Sequence, residues 1–270
     1  MDRLSKAAKP GKSKKKSFLQ LPSVEKPRML EKKHNAKLDL LLLEESKKED
    51  CSLSRARRLL RSGADANAKV AINCRTALIY ASKMGNIGLC RLLIENKADV
   101  NARDFWDRRT PLMHAGENGH AEICRLLIES GADANAADHY DSGHPVDKSV
   151  LMFAAENGHL GICKFLVQKG ANISHRDHNL KTALIFAAEN GHAEICRLLI
   201  ENGADVNEKS NLMGATPLIL AAENGHLEAC KALVEKGADL RLRNDNNETA
   251  LDIAKEFGRD KVAKFLSEHK

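Results

Sequence analysis

The chain has 270 residues, 43% hydrophobic but only 4% aromatic, so its core must be built from Leu, Ile, Val and Ala. Its formal charge of +6 is uneven. Residues 1–33 hold 11 Lys or Arg against 3 Asp or Glu, and the rest is close to neutral, which describes a basic tail on a neutral body. No apolar h-region follows the basic start, and apolar runs such as Leu40–Leu43 are far too short to cross a bilayer, so a secreted or membrane-spanning protein is not expected and cytoplasm or nucleus is.

The tail, residues 1–35, carries KPGKSKKKS with Lys12, Lys14, Lys15 and Lys16 at its centre. Low hydrophobicity and high charge predict disorder. A nuclear-import signal, an anionic partner such as nucleic acid or acidic lipid, and a merely solvated tail all remain open readings. No aromatic residues interleave with the lysines, which argues against specific nucleic-acid readout. The apolar island FLQLPSV (18–24) reads equally as a docking peptide or as a segment folded onto the body.

From residue 36 onward one pattern recurs. AAENGH stands at 154–159, 187–192 and 221–226, with AGENGH at 115–120. Each copy is preceded by a Thr- or Ser-headed stretch such as TPLMHA (110–115) or TALIFA (182–187), and followed by GADANA, GANISH or GADVNE. Thr110 has the chemistry of an N-cap, Pro111 fits the first helical position, and Gly119 fits a left-handed helix end. A second helix, AEICRLLIES (121–130), then ends at Gly131. Two helices of about ten residues bury too little alone; stacked on copies of themselves they make a solenoid.

These motifs (T-P-L at 110–112, A-A-x-x-G-H at 221–226, G-A-D-V-N at 203–207) resemble the ankyrin repeat family over roughly residues 36–270. The resemblance implies an all-α solenoid of about seven helix–turn–helix units with finger loops between them, and a concave face built from fingers and first helices. The units fall at 36–69, 70–103, 104–137, 138–176, 177–209, 210–243 and 244–270. In the first, LDLLLLEES (38–46) and SLSRARRLLRSGADAN (52–67) supply the helices.

The chain departs from the family pattern in several places. The His usual after T-P-L is replaced by Ile79, Met113, Met152, Ile185, Ile219 and Asp252. Lys97 stands where the helix-ending glycine belongs, so a left-handed lysine is expected. About five extra residues around HYDSGHPVDK (139–148) lengthen one finger. Gly116 replaces an alanine and is expected to leave room for an inserted side chain. Some family members carry a hydroxylated Asn at the position of Asn101 or Asn207.

No catalytic constellation emerges. Five of the seven cysteines, Cys90, Cys124, Cys163, Cys196 and Cys230, follow the repeat and read as small buried hydrophobes. There is no CxxC, no phosphate-binding loop and no nucleophile elbow. His120, His159, His192 and His226 sit at one repeat position, which in the family ties turns together by hydrogen bonding. His139, His144, His175 and His178 share neighbouring fingers, where exposed loop residues are the default and a metal the alternative. Glu117, Glu156, Glu189 and Glu223 form a row about 10 Å apart, read as a solvated stripe or a lure for a basic partner.

Partner information therefore lies where the copies differ. DFWDRR (104–109) holds the single Trp, and the next finger holds Tyr140. Phe105, Trp106, Arg108, Arg109 and Tyr140 are the expected anchors, with Leu212 and Met213 as a second apolar finger. The competing reading folds Trp106 over its own repeat. The expected function is a non-enzymatic, monomeric scaffold binding another protein on the concave face, with no cofactor, metal or small-molecule substrate. The alternative is a tail-driven tether to nucleic acid or acidic membrane, with the repeats as spacer.

Overall fold

The computed structural model describes residues 25–138, 147–211 and 213–269, with side chains from residue 35. Among them are fourteen α-helices and no strand of a sheet. Isolated β-bridges such as Lys69↔Thr76 and Arg243↔Thr249 close finger loops. The helices come in pairs: α1 Glu25–Ser46 with α2 Leu53–Arg61, α3 Ala77–Lys83 with α4 Ile87–Glu95, α5 Pro111–Glu117 with α6 Ala121–Glu129, and α7 Val150–Glu156 with α8 Leu160–Gln168. Three more follow: α9 Ala183–Glu189 with α10 Ala193–Glu201, α11 Pro217–Glu223 with α12 Leu227–Glu235, and α13 Ala250–Glu256 with α14 Asp260–Glu268. First helices pack on first helices, α3 through α13 in order, and second helices do the same from α2 through α14. The result is seven units in a one-dimensional stack.

Helix α1 starts at Glu25, well before the Leu38 start read from the apolar pattern, so part of the stretch assigned to the tail is helical. Lys12, Lys14, Lys15 and Lys16 lie outside the described residues, as does the FLQLPSV island.

Each first helix begins the same way. The side chains of Thr76, Thr110, Ser149, Thr182, Thr216 and Thr249 accept a bond from the backbone N–H three residues on, satisfying a donor that the helix start would leave orphaned. Leu78, Leu112, Leu151, Leu184 and Leu218 then point into one continuous core with Leu93, Leu127, Leu166, Leu199 and Leu233 of the second helices. Burying each such side chain contributes roughly 1.5–3 kcal/mol. The five repeating cysteines lie in this core, and burial pushes each thiol up to about 12, leaving it unreactive at neutral pH.

Polar ladders tie the units together. Nε2 of His120, His159 and His192 meets the carbonyl of Lys83, Glu117 and Glu156, each in the preceding unit, at 3.0–3.1 Å. In the last unit Arg259 takes over this place, its Nε donating to the Glu223 carbonyl at 2.8 Å. The second ladder was not legible from single units. Asn67, Asn101, Asn135 and Asn207 each accept the backbone N–H of the next unit's Asp99, Asp133, Asn172 and Asp239 at 2.7–3.0 Å. Asn101 and Asn207 are thus brackets between units.

Lys97 has φ +66, as its position requires. The equivalent glycines, Gly63, Gly131, Gly170, Gly203 and Gly237, have φ between +81 and +98. A side chain in this region costs about 1–2 kcal/mol. Lys97→Gly is therefore expected to raise the urea midpoint of unfolding, corresponding to a gain of about 1 kcal/mol after glycine's own entropy cost.

Candidate functional site

Fingers project from the helix pairs because a buried carboxylate or amide folds each loop back on itself. Asp104 Oδ1 accepts the Arg109 N–H at 2.9 Å, Asp138 Oδ1 the Lys148 N–H at 2.5 Å, Asp177 Oδ1 the Lys181 N–H at 2.8 Å, and Asn244 Oδ1 the Glu248 N–H at 2.9 Å. In the third unit Asp104 also meets Arg75 Nε at 3.1 Å and His114 Nε2 at 3.3 Å. Burial alone would raise the pKa of Asp104. Its hydrogen bonds with His114 and the Arg109 amide, together with Arg75, outweigh that and hold it below the usual carboxylate range. For Asp138 and Asp177 burial prevails and the pKa is raised.

On the third unit's finger, Phe105 and Trp106 are 56% and 54% exposed. Their rings meet edge to face at 5.2 Å, a favourable quadrupole arrangement. Trp106 does not fold over its own repeat. The finger is braced from several sides: the Phe105 N–H donates to the Asn73 carbonyl at 2.8 Å, and Arg103 donates to the carbonyls of Arg108 and Ala137, both at 2.8 Å. Arg108, with φ +54, is exposed at the turn. The aromatic pair is thus presented on a fixed loop.

Other expected site residues fare differently. Tyr140, Leu212, His139 and His144 lie outside the described residues. Met213 is 54% exposed, but on the sixth unit's finger, apart from Trp106. His175 Nε2 is held by the Asp147 carbonyl at 2.8 Å.

Two expectations need correction. Gly116 leaves no room for a partner's side chain. A Cβ there would lie 2.8 Å from Cγ1 of Val150, which already fills the gap from the next unit. Arg109 is not a free anchor. It pairs with Glu117 at 3.0 Å, approaches Asp138 at 3.5 Å, and lies 4.4 Å from the centre of the Phe153 ring.

Arg109 belongs to a pattern that the sequence reading missed. In the next units Lys148 pairs with Glu156 at 2.8 Å and Lys181 with Glu189 at 2.7 Å. Lys148 lies over the rings of both Phe153 and Phe186, at 5.5 and 4.1 Å, and Lys181 over Phe186 at 5.4 Å. Cations and rings thus alternate across units three to five, a cation–π stack sealed by carboxylates. Three members of the expected row of free glutamates are therefore engaged within their own units. The signal was present in sequence as Arg or Lys directly before each Thr or Ser cap, eight residues ahead of Glu. Glu117, Glu156 and Glu189 were read as helix positions, without the finger residues beside them.

The family profile described as "Ankyrin repeats (3 copies)" matches residues 45–138, 139–210 and 207–270. Among solved structures, the chain is similar to the human ASB11 ankyrin repeat domain, with 28% identity, a TM-score of 0.74, and coverage of 85% of this chain and 97% of that one. No curated protein matches the sequence. No helix among the described residues is long and apolar enough to cross a membrane. Ankyrin repeats generally mediate contacts between proteins. With a stack of paired helices, capped and bracketed as above, and a family profile matched from residue 45 to 270, the chain belongs to the ankyrin-repeat family.

Proposed function

We propose that the chain is a non-catalytic adaptor, working as a monomer in the cytoplasm or nucleus, that binds a partner protein on its finger-and-first-helix face, with Phe105 and Trp106 as principal anchors. The observation that carries this reading is the exposed, edge-stacked pair on a finger held by Asp104, Arg103 and Asn73. A large apolar patch in water has an energetic reason only if something covers it. Because the loop is already ordered, covering it sacrifices little conformational entropy. Arg108 stands beside the pair and supplies the third residue type typical of binding hot spots.

The test is affinity purification with mass spectrometry on the full chain, repeated with Phe105→Ala/Trp106→Ala. The double variant is expected to keep the parent's melting temperature, since both rings are solvent-exposed, and to bind its partner about 30-fold more weakly or worse, corresponding to a hot-spot loss of about 2 kcal/mol. Undiminished binding by a folded double variant would show that the anchors lie elsewhere.

A further inference from the structure

Three rows of residues run along the finger-side face, one residue per unit in each. The residue before the helix cap reads Arg75, Arg109, Lys148, Lys181, Ala215, Glu248. The fourth helical position reads Tyr80, His114, Phe153, Phe186, Leu220, Ile253, and the last reads Lys83, Glu117, Glu156, Glu189, Glu223, Glu256. Two of the three rows change character after the fifth unit. The cation becomes Ala215 and then Glu248, the ring becomes aliphatic, and the carboxylate stays.

The consequence is a cleft of about 440 Å³ between the last two units, with an apolar floor including Ile219 and Ile253 and a rim of Glu223, Glu248 and Glu256. Met213 and Phe257 flank it, 54% and 46% exposed. Lys181 reaches its edge but is engaged by Glu189 at 2.7 Å. Among the described residues, none of the three rim glutamates forms an ion pair. Glu248 accepts an amide hydrogen bond from Asn244 at 3.1 Å, and Glu256 is held above its ordinary pKa first by its hydrogen bond with Glu248 and then by that carboxylate's charge. The molecule shows in units three to five what satisfies such a carboxylate: an Arg or Lys side chain at 2.7–3.0 Å lying against the first helix.

We infer that the cleft between units six and seven is a receptor for a lysine or arginine side chain of a partner protein, with an apolar residue beside it, taking the place that the chain's own cation holds in units three to five. The arriving cation meets Glu223 where Ala215 supplies none, separates Glu248 from Glu256, and keeps its methylene stem on the aliphatic floor. The neighbouring apolar residue covers Phe257 and Met213. The site is separate from Phe105 and Trp106, so neither reading depends on the other.

The test pans a phage-displayed library of twelve-residue random peptides against the full chain and synthesises the selected sequences. Two variants are compared with the parent after their melting curves are checked. Ala215→Lys installs the missing cation in the chain itself, and Glu223→Gln/Glu248→Gln/Glu256→Gln removes the rim charge from positions that are half-buried or exposed. Selected peptides are expected to carry Lys or Arg next to an apolar residue and to bind both variants about tenfold more weakly, as does the parent in 0.5 M salt. Their affinity for Trp106→Ala is expected to be unchanged. Peptides without a basic residue, or basic peptides that bind the folded triple-Gln variant as tightly as the parent, overturn the inference. A peptide of residues 9–24, KPGKSKKKSFLQLPSV, is run alongside. Binding that is lost in both variants would hand the site to the chain's own tail, of the same or a second copy, and overturn its assignment to a different protein.

Discussion

Replacing Asp104 with alanine is expected to destabilise the third unit by about 3 kcal/mol and to weaken partner binding without touching a contact residue. Asp104 is 2% exposed and gathers the Arg109 amide, the Arg75 guanidinium and the His114 imidazole. Alanine leaves all three facing a cavity, and His114 Nδ1 already lacks a hydrogen-bond partner among the described residues. Unpaired buried groups of this kind account for most of the cost. The loop that carries Phe105 and Trp106 then loses the bond that folds it back. Hydrogen exchange should show faster opening of residues 103–110, while protection in units six and seven stays unchanged, because a solenoid transmits mainly to its neighbours. Asp104→Asn retains an acceptor for the Arg109 amide and should cost less than half as much. If Asp104→Ala unfolds as the parent does, the buried network does not organise the finger. Asp104 also sets an acid limit: with its pKa held below the ordinary value, its contribution is fully present above the unfolded pKa and is lost as pH falls through the folded one.

The repeat itself was legible because the physics of one unit is written many times. The cap Thr110, the glycine Gly119 and the small-residue stripe recur, so a local inference about one copy is checked by the others. The left-handed state of Lys97 followed from the same comparison. What failed to show was complementarity between units. Gly116 looked like a vacancy because its filler, Val150, lies 34 residues on, at a site held by Ala or Pro in the neighbouring units. The row of glutamates looked free because each partner cation sits in a finger, outside the helical pattern that flagged the row. The start of α1 at Glu25 was missed for a different reason. Composition averages over the basic stretch, and the apolar periodicity used to find helices begins only at Leu38. Of the expected site, Phe105 and Trp106 are exposed and meet edge to face, whereas Arg109 is drawn into the fold by Phe153, a ring of the next unit.

The same between-unit logic places one carboxylate where it harms the fold. Glu208 stands at the position of Ala68, Ala102 and Ala136 in earlier units, and is 6% exposed. Its carboxylate accepts a bond from the Thr182 hydroxyl, and Arg176 approaches only to 4.0 Å. Burial dominates, with Asp205 adding a smaller repulsion, and the pKa rises to about 7 from an ordinary 4.5. A carboxyl whose pKa is raised on folding binds its proton more tightly in the folded state. Below about pH 4.5 both states are protonated and no penalty exists. Between pH 4.5 and 7 the unfolded chain ionises first, so stability falls as pH rises, and above 7 the loss is complete at about 3 kcal/mol. Glu208→Gln keeps the shape and an acceptor for Thr182 while removing the titration. Its urea midpoint should match the parent's near pH 4.5 and exceed it by an amount corresponding to about 2–3 kcal/mol at pH 8. Asp138 and Asp177, also raised by burial, titrate identically in both proteins and cancel from the difference. A gap between the two proteins that does not widen from pH 4.5 to 8 would mean that Glu208 is solvated or paired as an ion, and that burial does not hold it protonated in the folded state.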